Sequence, residues 1–324
     1  MKFDTLIIGG GLAGLTCGIR LQKNGVKCAI VSTGQSALHF SSGSFDLLNE
    51  LADGTKVDNP VAAADKISAN HPYAKLGDNF AYYVREAKQQ FLDCGIEVNG
   101  DAEHNHLRIT PMGTLKPTWL TFSDFTPLSS ANDIAGKKIL VVNMAGFLDF
   151  NTKFVADSFE KYGAECRISS INLPELERLR ISPTEMRSTN IARVLENEKT
   201  LEALILELTG KISGFDIVAL PAVFGLSSAA SVKKLKESLD IPVWLIPTMP
   251  PSVPGIRAQQ QLRRSFEELG GVYMLGDTVV KADFSGNKVQ AVYSVNHGEI
   301  SFVAENFILA SGSYFSNGLV AQPD

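Results

Sequence analysis

Thr5-Leu6-Ile7-Ile8-Gly9-Gly10-Gly11-Leu12-Ala13-Gly14-Leu15 is the stretch on which the fold of this chain turns. A short apolar run breaks directly into glycines, and a helical pattern through Leu15, Ile19 and Leu21 follows, so the order is strand, turn, helix. Asn24-Gly25 stops the helix and a second apolar run, Cys28-Ala29-Ile30-Val31, completes a βαβ unit of dinucleotide-binding type. In such a unit Gly9 allows the tight turn, Gly11 lets the backbone approach a phosphate, and Gly14 lets helix and strand pack closely. The helix N-terminus then offers free N–H groups and its positive dipole end to the anion.

One feature of that pattern is missing. The end of the second strand reads Ile30-Val31-Ser32-Thr33-Gly34, without the carboxylate that ordinarily accepts hydrogen bonds from an adenosine ribose. Either Ser32 or Thr33 serves the ribose, or the ligand is a mononucleotide that ends short of this point.

Working outward, Gln35 to Asp46 is dense in hydroxyls and glycine, with Ser41, Ser42 and Ser44 as hydroxyl donors. It reads as a polar surface loop or as a cover over the nucleotide site, because it leaves the strand where the ligand must lie. His39 is a contact for flavin or substrate, or a structural histidine. Helical patterns follow over residues 61–69 and 79–94. His104 and His106 alternate on one strand face, but no third ligand stands at a metal-binding spacing, so a solvated edge is expected. Residues 111–120 carry Lys116, Thr118 and Trp119 and suit either a ligand loop or a packed hairpin.

From Lys138 a new alternation begins. Apolar strands at 138–142, 164–171, 216–221 and 243–247 are separated by helices, which predicts a parallel sheet. Residues 182–193 open a helix and place Arg187 and Arg193 near its start, and a proline-rich connector over 248–254 leads to Arg257 at the start of another helix. The Arg257 guanidinium suits a substrate phosphate or a partner's carboxylate, or else a surface ion pair. Strands at 271–277, 279–284, 289–295 and 299–303 form a meander, and 306–313 is an apolar strand ending in Ala310-Ser311-Gly312. In flavoproteins with two dinucleotide folds, a strand ending this way returns beside the glycine turn, which adds Gly312 to the site residues. The fold class is therefore α/β: a Rossmann-like FAD/NAD(P)-binding fold with a parallel-sheet insert and a β-meander. The nucleotide domain is expected over 1–48 and 256–324, with an inserted α/β lobe over 49–255.

Composition narrows the function. The 324 residues include 44% hydrophobic and 20% charged side chains, ordinary for a globular protein. A net charge of −5 argues against nucleic acid or anionic lipid as a partner. No leader pattern and no run of ~18 apolar residues occurs, so a cytoplasmic protein is expected. Cys17, Cys28, Cys94 and Cys166 form no Cys-x-x-Cys pair, which excludes a self-contained cysteine-ligated cluster and points to reduced thiols.

With both ends of the pattern in place, the whole chain resembles the B subunit of the bacterial anaerobic glycerol-3-phosphate dehydrogenases. The resemblance is carried by Phe3-Asp4-Thr5 with the glycine turn, Gln35 to Asp46, His71-Pro72-Tyr73, Thr114-Leu115, Asn190-Ile191-Ala192-Arg193, Leu245-Ile246-Pro247-Thr248, Pro250-Pro251-Ser252-Val253, Gly255-Ile256-Arg257 and Ala310-Ser311-Gly312-Ser313. It implies a quinone-linked enzyme that oxidises sn-glycerol 3-phosphate to dihydroxyacetone phosphate in fumarate or nitrate respiration. It further implies an FAD-linked catalytic A subunit, FMN in this B subunit with FAD as the alternative, and an iron–sulfur C subunit that anchors the pair at the inner face of the membrane. The missing ribose carboxylate and the absence of a cysteine cluster agree with that division of labour. Family members continue past the position of Asp324 into a segment that in related flavoproteins carries a Gly-Asp turn holding the flavin ribityl chain, so this chain is expected to be either truncated in the C-terminal part of the flavin domain or a short member. A stand-alone flavin oxidoreductase and a non-catalytic scaffold with a degenerate nucleotide fold are the alternatives.

Overall fold

The computed structural model describes residues 1–182, 184–314, 318 and 320. Pro183, in the expected helix-opening stretch, and residues 315–317, 319 and 321–324 of the expected nucleotide domain lie outside the described residues. By its internal contacts the chain forms two units, Met1–His39 with Ala258–Asp324 and Phe40–Arg257. Residues 40–48 thus go with the larger unit rather than the smaller one, because strand Ser44–Phe45 pairs there with Leu120–Phe122.

The smaller unit is built on a six-stranded sheet in the order Val272–Leu275, Cys28–Ser32, Lys2–Ile8, Phe302–Leu309, Lys288–Ser294, Val279–Ser285. The first four strands are parallel and the last two antiparallel. Cys28–Ser32 is buried at every position, as a parallel strand enclosed on both sides must be, and this is why it reads as an unbroken apolar run. Phe3, Leu6, Ala29, Val31, Val292 and Phe302 form one core, in which each large side chain contributes about 1.5–3 kcal/mol on leaving water. The expected strands 299–303 and 306–313 are one strand, Phe302–Leu309, paired with Lys2–Ile8 from Val303 to Leu309. Its exposed Glu305 hides that continuity in the sequence.

The larger unit carries a four-stranded parallel sheet in the order Val243–Ile246, Ile217–Pro221, Lys138–Met144, Glu165–Ile171, as the alternation predicts. Asn151 caps helix Thr152–Lys161 by accepting from the Phe154 N–H, and Asn197 caps Glu198–Thr209 through Thr200. The same unit holds a three-stranded sheet of Ser44–Phe45, Leu120–Phe122 and Val98–Asn99, and the hairpin His106–Ile109 with Leu115–Thr118. The helix expected over 79–94 is present as Asn79–Asp93. That expected over 61–69 is not: the segment is turns and the short 3-10 helix Ala64–Lys66, with too little apolar surface on one face to hold a longer helix. Burial pushes the thiol of Cys28 up to about 11 and that of Cys166 to about 12, so both stay protonated.

Candidate functional site

Strand Lys2–Ile8 ends where the N–H of Gly9 donates to the Val31 carbonyl at 2.8 Å. Gly9 then takes φ +117°, and a side chain there would place its Cβ 2.1 Å from the carbonyl oxygen of Ala310. The close approach is to the chain's own backbone: strand Phe302–Leu309 returns beside the turn, with the Ala310 N–H donating to Ile8 at 2.8 Å. Gly14 is required for a similar reason, its Cβ position lying 1.9 Å from the Gly9 oxygen.

Gly11 is different. It has φ −83° and ψ −169°, which any residue adopts, and a Cβ there would meet only Ser36 Cβ at an ordinary 3.5 Å. Nothing in the fold requires a glycine at this position. The space a side chain would fill lies at the N-terminus of helix Leu12–Lys23, which has no side-chain cap and no carboxylate in its first turn. Its first N–H groups therefore face an open, electropositive cradle suited to a phosphate.

A polar frame holds the turn in shape. The Gly10 carbonyl accepts from the Tyr273 hydroxyl at 3.1 Å and from Nε2 of Gln259 at 3.4 Å. Oε1 of Gln259 in turn accepts from the Ser36 hydroxyl at 2.8 Å. Gln259 and Tyr273 carry no sequence signal, because they stand 249 and 263 residues away from Gly10 and only the tertiary fold brings them to it. Burial pushes the His39 imidazole below its ordinary value, with Gln259 opposing, and its Nδ1 is buried without a partner among the described residues.

At the end of the second strand, Ser32 is buried and its hydroxyl donates to the Gly34 carbonyl at 3.2 Å. Thr33 is exposed and its hydroxyl accepts from Thr278 at 3.3 Å. A carboxylate does stand next to this strand, since the N–H groups of Gly276 and Asp277 both donate to the Ser32 carbonyl. It is committed elsewhere: Oδ1 of Asp277 accepts from the N–H groups of Thr278 and Asn296 at 2.8 and 3.0 Å, and Oδ2 lies 2.9 Å from Nδ1 of His297.

Gly9, Gly11, Gly14, Ser32 and Gly312, which has φ +99°, all belong to the smaller unit. Ser41, Ser42 and Ser44 belong to the larger one, where Ser41 Oγ accepts from the Gly43 N–H at 3.0 Å and Ser44 lies in a strand opposite Thr121.

Arg257 requires a correction. As a clamp for a substrate phosphate or a partner's carboxylate it would need free donors, but it is buried, with Nη2 2.7 and 2.6 Å from the two oxygens of Asp124 and Nη1 on the Gly225 carbonyl. Its charge is neutralised within the fold. Arg187 is paired with Asp149 at 3.1 Å and Arg193 donates to Asn190. Residues 111–120 include the turn and second strand of the hairpin that pairs His106–Ile109 with Leu115–Thr118, and no group of three metal-binding side chains occurs among the described residues.

The parallel sheet with the glycine turn at its first strand belongs to a flavoprotein class: a family model described as "FAD binding domain" matches residues 4–324. The donors present fit a flavin phosphate, since the Gly11 cradle is open and the helix N-terminus uncapped. Within that class, the chain belongs to the family formed by the B subunits of anaerobic glycerol-3-phosphate dehydrogenase. It is 44% identical to the family's protein from Yersinia enterocolitica over 99% of this chain and 77% of the relative. It is 43% identical to that of Pectobacterium atrosepticum over 100% and 78%. Among solved structures it is similar to glycine oxidase from Bacillus cereus, at 16% identity and a TM-score of 0.33, and to L-proline dehydrogenase from P. horikoshii, at 10% and 0.36. The match takes in 98% of this chain in both cases, and 58% and 54% of those proteins. No helix among the described residues is long and apolar enough to cross a membrane.

Proposed function

We propose that this chain is the flavin-carrying B subunit of a quinone-linked glycerol-3-phosphate dehydrogenase, serving the oxidation of sn-glycerol 3-phosphate to dihydroxyacetone phosphate. The observation that carries the reading is the 44% identity, spread over 99% of the chain, to a relative of that name. The partners on this reading are an FAD-linked catalytic A subunit and an iron–sulfur C subunit that holds the pair at the inner face of the membrane, with quinone reached through them. The four cysteines are free thiols, and on this reading the iron–sulfur chemistry belongs to the C subunit.

A bound flavin supplies two-electron hydride chemistry and one-electron return in the same site. The chain's own share is to bind and orient. Gly11 leaves room for the phosphate, the first-turn N–H groups of helix Leu12–Lys23 neutralise part of its charge, and Gln259 and Tyr273 keep the Gly10 carbonyl turned away from it. His39, in the same unit and beside Gln259 and Ser36, is a further candidate contact for the flavin. Gly312, in the same unit as the glycine turn, completes the proposed flavin contacts.

FMN is the form favoured here, because the second strand ends without a free carboxylate: the Ser32 hydroxyl is buried on Gly34 and Asp277 is fully hydrogen-bonded. A second reading, FAD, is favoured by the description of the matching family model. Flavin released on denaturing the chain, purified after coexpression with its A partner, tests both. FMN near one per chain is the expected result, and FAD near one would transfer the ribose role to Ser32 or Thr33. No flavin in a complex that retains full activity would overturn the flavin-carrying role and leave a scaffold.

A further inference from the structure

A second cationic site lies in the larger unit, on the hairpin His106–Ile109 with Leu115–Thr118. The register sets Arg108 opposite Lys116 and His106 opposite Thr118, and the two-residue period puts all four side chains on one face. Arg108 is 9% exposed, and its Nε and Nη1 are buried without a hydrogen-bond partner among the described residues. Guanidinium donors withdrawn from water without an acceptor are costly, so an arginine of this kind marks a place where an acceptor is missing.

The neighbours decide what that acceptor is. Asp46 is the facing carboxylate, and its oxygens are taken by Lys116 Nζ at 2.6 Å and the Thr118 hydroxyl at 2.7 Å. Its charge acts on Arg108 without hydrogen-bonding it. His106 lies on the same face with Nε2 3.1 Å from the Thr121 hydroxyl, and burial favours its neutral form. Two permanent cations therefore face one carboxylate, leaving an excess positive charge and unused planar donors. A phosphate, with several acceptor oxygens and up to two negative charges, matches that set better than a single carboxylate does.

We propose that Arg108, with Lys116 opposite it, holds the phosphate group of a small phosphomonoester. The identity of that ester as glycerol 3-phosphate rests on the function proposed above; the oxyanion site does not.

Thermal shift and calorimetric titration of the flavin-loaded full chain with inorganic phosphate, glycerol 3-phosphate and glycerol provide the test. Both phosphates are expected to bind saturably and to raise the melting temperature, and glycerol is not. Arg108→Met is expected to weaken phosphate binding at least tenfold while melting, without phosphate, no lower than the wild type, because it removes unpartnered donors. Lys116→Met is expected to weaken it several-fold. Lys153→Gln, an exposed lysine paired with Asp157, should bind like the wild type. Should Arg108→Met fail to fold, Arg108→Lys keeps the charge, lacks the planar donors and is expected to bind about tenfold more weakly. Wild-type phosphate affinity in the Arg108 variant, or no saturable phosphate binding by the wild type, would each overturn the proposal. Turnover by the complex with its A partner separates the two readings. An unchanged KM for glycerol 3-phosphate in Arg108→Met removes the substrate subsite and leaves the function, whereas phosphate binding without any turnover of that ester removes the function and leaves the site.

Discussion

Arg257 and Asp124 form a buried ion pair, Nη2 reaching both carboxylate oxygens at 2.7 and 2.6 Å, although they are 133 residues apart in sequence. The pair ties the start of helix Val253–Glu268 to the segment after strand Leu120–Phe122. Removing one partner leaves the other charge buried and alone. Asp124→Ala is therefore expected to lose about 3–5 kcal/mol of unfolding free energy, read from urea titration followed by circular dichroism. A loss under about 1 kcal/mol would show that water reaches the guanidinium.

The two glycines of the turn should fail in different ways. Gly9→Ala forces a Cβ into the Ala310 carbonyl at a positive φ, and is expected to lower stability by more than about 1 kcal/mol whether or not flavin is present. Gly11→Val meets no such obstacle and should fold, yet lose at least nine-tenths of its flavin. Parallel melting curves and absorbance near 450 nm separate the outcomes; full flavin occupancy in Gly11→Val ends the phosphate role of the cradle.

Asp277 predicts an acid limit to stability. Burial alone would raise its pKa, but hydrogen bonds from Ser294, the Asn296 N–H, His297 and the Thr278 N–H outweigh it and hold the carboxyl below its ordinary value. A carboxyl depressed in the folded state contributes stability that is fully present above the unfolded pKa of about 4, and is lost as pH falls through the lower folded value. Asp277→Asn should cost about 1–3 kcal/mol at neutral pH and flatten the fall in stability below about pH 4. A variant whose acid unfolding curve overlays the wild type would show that other carboxyls govern it.

How much of the site is legible in the chain depends on sequence distance. The glycine turn is local, so its strand, turn and helix follow from consecutive residues between Lys2 and Lys23. The parallel sheet of the larger unit is legible for a related reason, because strands buried on both faces leave unbroken apolar runs. Arg257 looked like an anion clamp because a guanidinium after a proline-rich connector carries no mark of the carboxylate it meets. The same limit concealed Arg108, whose significance is the absence of a partner, and a missing contact leaves no trace in composition or spacing.

The sequence by itself determined the class of fold, the strand–glycine-turn–helix unit and the lack of a ribose carboxylate, since each depends on backbone geometry or side-chain periodicity within about thirty residues. Tertiary structure alone decided which charges are spent and which remain available. It brought Asp124 to Arg257, and Gln259 and Tyr273 to Gly10, while leaving Arg108 beside Lys116 without an acceptor of its own among the described residues. The physical reason is that the state of a charged or polar group is set by the atoms packed around it, and those atoms come from strands and helices that only the completed sheets place side by side.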